Sequence, residues 1–326
     1  MSAAVASAPG TTWGRLRPFV PLIVLVAMCL AIAVVAPVFL QPANLVRVAT
    51  AAAIPMVLAC GMTFIILMGS IDLSVEGVMA VTAVITSLLV ANAFNSLDYG
   101  LAVVPLVILI GGFMGFCNGL VHVKLKIPSL MASLGIGFAG IGIATLILGG
   151  ITVRITDPIY RDMALARVLG IPMAVWVAAA AVLCAWFIQE YTRIGRWTYV
   201  LGGGEDIARL SGVPTGRVRI AVFTIAGLFY GLGGALAASQ LGQGQALIGQ
   251  GRLFTTITAV VVGGTALSGG IGGILYSVVG VLLVSVLANG MVLMGIPPYV
   301  QTGMNGLLII VAVALSLDRA RLRIVK

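Results

Sequence analysis

Residues 61–77 read GMTFIILMGSIDLSVEG. An apolar helical run meets Gly69-Ser70, then a carboxylate at Asp72, and restarts as a second apolar helix. Polar groups of this kind are costly inside a bilayer unless they line water or protein. A broken helix at that depth is tolerated only where its freed backbone groups are buried or face a cavity. The stretch therefore points to a pathway for something polar, not to a plain anchor.

The surrounding composition supplies the membrane. Of 326 residues, 61% are hydrophobic and 8% charged, with a mean hydropathy of +1.19; a soluble domain carries about 25% charged residues. A span takes roughly 20 apolar residues, which leaves room for about ten. The expected spans are 19–40, 48–69, 75–93, 100–122, 127–149, 173–190, 218–239, 253–268, 273–293 and 299–317. The fold class is thus an all-α integral membrane protein with broken or re-entrant helices. Residues 1–18 form an N-terminal tail, 19–317 the transmembrane domain and 318–326 a basic C-terminal tail. The first apolar run exceeds the roughly 7–15 residues of a signal-peptide core, so it is expected to be retained as a span.

The net charge of +9 is better explained by basic residues holding loops in the cytoplasm than by nucleic-acid binding. With the N-terminus inside, 13 of the 18 basic residues fall on the cytoplasmic side. Arg47, Arg154, Arg161, Arg167 and Arg252 fall outside. An even number of spans keeps both basic termini in the cytoplasm. Cys29, Cys60, Cys117 and Cys184 lie in apolar runs without paired or metal-ligand spacing, and imply neither a disulfide framework nor a metal site.

Several polar positions invite a functional reading. Ser70, Asp72, Ser74 and Glu76 stand where a helix start accepts side-chain caps and favours negative charge; they cap the third span, border a substrate path, or do both. Thr63, Asn118 and Asn289 are further polar groups at depth. Asn118-Gly119 and Asn289-Gly290, each followed by Ile-Pro, hint at an inverted repeat of two five-span units. A second echo, GSIDLS at 69–74 against GGTALS at 263–268, falls on one face and does not fit inversion. VVGGTALSGGIGG, residues 261–273, holds six glycines in thirteen residues. Gly263, Gly264, Gly269 and Gly270, with Gly69 in the first interruption, mark two helix breaks. The stretch lacks the GK[ST] of a phosphate loop. No nucleophile–base pair or dinucleotide fingerprint is present, and the chain does not read as an enzyme.

Two loops are long. Residues 150–172, expected outside, fit a short surface helix, either a docking place for an outside partner or an ordinary interfacial loop. Residues 191–217, expected inside, contain GGGEDIARLSG at 202–212. Gly202 to Gly204 break the backbone, Glu205 and Asp206 favour a helix N-terminus, and Gly212 ends the short helix. Gly204, Glu205, Asp206, Ala208, Arg209, Leu210 and Gly212 are candidates for docking this helix into a groove on a soluble partner.

These blocks resemble ribose-type ABC transporter permeases. GMTFIILMGSIDLSVEG is similar to their GMTFVI-GGIDLSVG signature. The likeness continues through NGLVHVKLKIPSLMASLG at 118–135, GGGEDIARLSGV at 202–213, AVVVGGTALSGGIG at 259–272 and PPYVQTGMNGLLIIVAV at 297–313. Ser70 and Glu76 stand where that family usually has glycine. The resemblance implies the type II importer architecture and a path formed with a second permease subunit, identical or not. It also implies a periplasmic binding protein for a monosaccharide or similar solute, and a cytoplasmic ATPase with two nucleotide-binding halves. ATP and Mg would bind that ATPase and no cofactor this chain. The 202–213 segment looks like its coupling helix. The alternative is a secondary transporter of a small polar solute driven by protons or sodium, with Asp72 or Glu76 as its titrating group.

Overall fold

The computed structural model describes residues 19–301 together with 303, 304, 306, 307 and 310. The two terminal tails and most of the expected tenth span lie outside the described residues. The described chain is helical: α1 Val20–Val35, α2 Pro42–Leu67, α3 Val75–Leu89, α4 Val103–Lys124, α5 Ser129–Leu148, α6 Pro158–Leu165, α7 Met173–Tyr191, α8 Arg193–Gly203, α9 Glu205–Leu210, α10 Thr215–Leu241, α11 Arg252–Val262 and α12 Ile274–Leu293. Six helical stretches are long and apolar enough to cross a membrane, and α1, α3 and α11 are shorter apolar helices.

The core is built around α2 and α10. Residues 57–68 are buried without interruption, so this part of α2 is enclosed on every side, as expected for a helix apolar all round. The partner with which α10 packs most extensively is α4. Gly227 and Gly231 of α10 face Gly111 and Gly115 of α4, and a Cβ at Gly231 would lie 2.8 Å from the Val107 carbonyl oxygen. Four-residue spacing of glycines on both helices lets their backbones touch, which is how helices associate where lipid removes the hydrophobic driving force. Two polar pairs join α2 to α12: Asn44 and Asn289 exchange amide hydrogen bonds of 3.0 and 3.1 Å, and Thr63 Oγ1 donates to Ser277 Oγ at 2.6 Å.

The loop 150–172 carries the expected short helix, α6, exposed at Ile159, Asp162 and Leu165 and anchored through its other face. Asp157 caps α6 by accepting from the Tyr160 N–H. Tyr160 is fully buried, its hydroxyl donating to the Ala235 carbonyl of α10 at 2.8 Å. Strand β1, Val153–Arg154, pairs antiparallel with β4, Gln243–Gly244, and β2, Arg167–Val168, with β3, Ile171–Pro172. All four cysteines are free.

The eighth span differs from expectation. Residues 253–268 are not a crossing helix; α11 has 11 residues, about 16 Å of helix against a hydrocarbon core of about 30 Å. The chain before it re-enters the bundle alongside α3. Gly244 packs on Ser87 in the last turn of α3, and a Cβ on Gly249 would lie 2.9 Å from Glu76 Cα in its first. The arm before α11, residues 243–251, is a two-residue strand followed by tight turns, and leads into the half-length helix. Arg252, expected outside, is carried inward to the level of Glu76.

Candidate functional site

Both interruptions end their helices by the same device. After α2, Gly69 takes φ +75°, the Gly69 N–H donates to Ile66 O (2.9 Å) and the Ser70 N–H to Ile65 O (3.1 Å). After α11, Gly264 takes φ +113°, its N–H donates to Val261 O (3.0 Å) and that of Thr265 to Val260 O (3.2 Å). These are Schellman closures, which place glycine at the left-handed position. The echo of GSIDLS with GGTALS is this shared device, shifted by one residue: Gly264, not Gly263, matches Gly69. Gly263 is right-handed at φ −61° and packs against the Tyr276 carbonyl.

Between α2 and α3 the chain forms neither helix nor strand, burying Ser70, Asp72 and Ser74 while Gly69 and Ile71 stay exposed. Its backbone groups are satisfied by hydroxyls in the first turns of α5: the Leu73 N–H donates to Ser133 Oγ at 2.9 Å and the Ile71 N–H to Ser129 Oγ at 3.4 Å. Ser70, Asp72 and Ser74 are 8%, 1% and 1% exposed. Asp72 does not cap α3 directly. Its Oδ1 accepts from the N–H of Ser74, the residue before the helix, at 2.8 Å, and from Asn118 Nδ2 at 3.2 Å. Among the described residues, Asp72 Oδ2, Ser74 Oγ and Asn118 Oδ1 are buried without a partner. Asp72 and Asn118 are thereby brought together, whereas Asn289 sits at the far end of α2 with Asn44 and Thr63 with Ser277.

Glu76 lies in the first turn of α3 and points elsewhere. Its Oε1 accepts from the Leu253 N–H at 3.2 Å, placing a carboxylate at the positive end of α11. The neighbouring Gly77 packs on Gly137 and Gly140, and a Cβ on Gly140 would lie 2.8 Å from Gly77 O. Those glycines stand midway along the 20 residues of α5, so Glu76 and Arg252 are at middle depth. Sequence reasoning missed Arg252 there; the polar run QGQALIGQGR at 243–252 ahead of a short apolar stretch was the available signal.

The segment between α7 and α10 meets both interruptions. The place a Cβ of Gly202 would occupy is taken by the Leu67 carbonyl oxygen, and lies 2.5 Å from Gly270 N. A Cβ on Gly269 would lie 2.9 Å from Gly69 Cα and 3.0 Å from Gly202 Cα. The Gly270 N–H donates to Leu67 O at 2.9 Å. Tyr199 of α8 donates from its hydroxyl to Gly272 O at 2.8 Å, and Gln189 Oε1 accepts from the Ile274 N–H at the start of α12 at 2.7 Å. Three segments distant in sequence, the two interruptions and the end of α8, therefore converge on one backbone junction. Gly202 and Gly203 do not break the backbone as expected; they close α8, and only Gly204 separates it from α9.

Beyond the junction, α9 projects away. Ile207 and Leu210 are 65% and 89% exposed, while Ala208 is fully buried against the chain itself and is not available for docking. Gly212, at φ +76°, closes the helix with another Schellman pair from Gly212 N to Arg209 O and Val213 N to Ala208 O. Arg209 and Asp206 pair at 2.9 Å on the surface. Glu205 binds Arg219 of α10 at 2.6 Å, and Arg219 reaches His122 Nε2 at 3.0 Å. His122 Nδ1 faces the Ile127 carbonyl at 2.7 Å. Among the described residues no group of three or more metal-ligating side chains assembles.

A family model described as "Branched-chain amino acid transport system / permease component" matches residues 44–313. The chain is 32% identical over 309 residues to the ribose import permease protein of Haemophilus influenzae, covering 91% of each. It is 34% identical to the ribose import permease protein of Bacillus subtilis, covering 93% of this chain and 92% of that one. The L-arabinose transport system permease protein of Escherichia coli is 34% identical over 90% of this chain and 88% of its own. No solved structure matches. With the match spanning most of the chain, and the helical bundle and its two interruptions in place, this protein is a member of that permease family, of the ribose-type ABC kind.

Proposed function

We infer that the chain is the transmembrane subunit of an ATP-driven importer of a monosaccharide or related polar solute. It would reside in the bacterial inner membrane with both termini cytoplasmic. The observation that carries this reading is the junction of Gly69, Gly202 and Gly269. A soluble motor gripping α9 through Ile207, Leu210 and Arg209 would move α8, and through Gly202 both interrupted helix pairs at once. Glu205 to Arg219 adds a second attachment, from α9 to the start of α10. A two-lobed cytoplasmic ATPase holding ATP and Mg fits that role. A periplasmic binding protein would deliver solute at the opposite end, and a second permease subunit would complete the path.

Alternating access then amounts to hinging at the two Schellman closures, where the backbone is already interrupted. The sugars named for the relatives, ribose and arabinose, set the solute class. Reconstitution with the ATPase and binding protein in liposomes tests the reading. Uptake of labelled pentose should require ATP and survive an uncoupler. Uptake that persists without ATP and collapses with the uncoupler would favour an ion-driven carrier using Asp72 or Glu76.

A further inference from the structure

Resting on that reading, we propose that Glu76, Gln250 and Arg252 form a mid-depth contact site for a neutral polyhydroxylated solute. Charged groups at mid-bilayer are retained where they face water or protein. Arg252 is half-buried, and its guanidinium has no hydrogen bond or ion pair to any described residue. Glu76 and Arg252 are one residue from contact, since Glu76 holds the Leu253 N–H, yet their charges do not pair. Glu76 Oε1 is used; among the described residues nothing bonds Oε2. The side-chain amide of Gln250, two residues earlier on the exposed end of the re-entrant arm, also has no partner among the described residues.

The set combines a carboxylate acceptor, a five-donor guanidinium fork and an amide that does both. A polyol presents adjacent hydroxyls, each a donor and an acceptor, which this set can match while keeping no net charge. An ionic solute would leave one of the two charges opposed. The arm brings these groups to depth because Gly249 can lie against the Glu76 backbone, where a Cβ would have 2.9 Å.

The test uses the assembled importer, with the four native cysteines replaced by serine or alanine. Single cysteines at 76, 250 and 252 are treated with a membrane-impermeant methanethiosulfonate, with Phe138→Cys on the exposed face of α5 as comparison. Labelling at least tenfold faster than at 138, and slowed by ribose or arabinose together with the binding protein, is expected. Glu76→Gln keeps an acceptor for Leu253 and should still lower pentose uptake at least tenfold, with the ATPase co-purifying at wild-type stoichiometry; Arg252→Gln should do the same. Labelling no faster than at 138, or wild-type uptake in both glutamine variants, overturns this site and leaves the importer reading standing. A wild-type complex that takes up no sugar overturns that reading and this site with it.

Discussion

The Cβ that Gly202 lacks would clash with the carbonyl oxygen of Leu67. One residue of the α8–α9 segment is thus in backbone contact with the last turn of a buried core helix. Gly202→Ala is expected to destabilise the protein by about 1–3 kcal/mol through overpacking and to abolish uptake. Gly203→Ala, next to it with nothing within 4 Å of the added methyl, should be neutral or slightly stabilising. Thermal unfolding of the two variants in detergent, with uptake in parallel, checks the contrast. Equal loss at both positions would remove the special standing of Gly202.

Tyr199→Phe removes only the hydroxyl that reaches Gly272. The expected stability loss is about 0.5–1.5 kcal/mol, with a disproportionate fall in uptake per ATP hydrolysed because α8 no longer grips the second interruption. An unchanged ratio of uptake to hydrolysis would contradict this.

Leu210→Asp and Arg209→Glu act on the far side of the same lever. Leu210 is 89% exposed, and an exposed ion pair such as Arg209–Asp206 contributes no more than about 1 kcal/mol. Both variants should fold as the wild type does while retaining less than a tenth of the ATPase on co-purification.

Asp72 supplies the acceptor for the Ser74 N–H and for Asn118. Asp72→Ala orphans both donors in a buried place, at about 1–3 kcal/mol each. Asp72→Asn keeps an acceptor oxygen and should be milder by at least about 1 kcal/mol. Asp98→Ala, at an exposed turn, should lie within about 0.5 kcal/mol of wild type. Chemical denaturation of the three variants orders them. An alanine at 72 no worse than one at 98 would contradict the role assigned to the buried carboxylate.

Much of this was legible in the sequence, and the limits have physical causes. Hydropathy locates the crossing segments, because the bilayer imposes a single length and polarity on each. The left-handed glycines of the two interruptions are legible too, since Gly69 and Gly264 stand where a helix must stop. Three things were hidden. The half-length of α11 was masked because residues 253–268 are apolar enough to imitate a span. The depth of Arg252 follows from backbone packing of Gly249 on Glu76, which no local pattern encodes. The meeting of Gly69, Gly202 and Gly269 joins three segments separated by more than sixty residues each, and each glycine taken alone reads only as a turn. The role of Asp72 was hidden for a related reason: its Oδ1 accepts from the Ser74 N–H ahead of α3 and from Asn118, a residue of another helix.

Labelled pentose uptake into proteoliposomes, with and without the cytoplasmic ATPase, is the most direct measurement. Accumulation against a gradient should appear only when the ATPase, ATP and the binding protein are present together with this chain. Accumulation by this chain alone, driven by an ion gradient, would contradict the account.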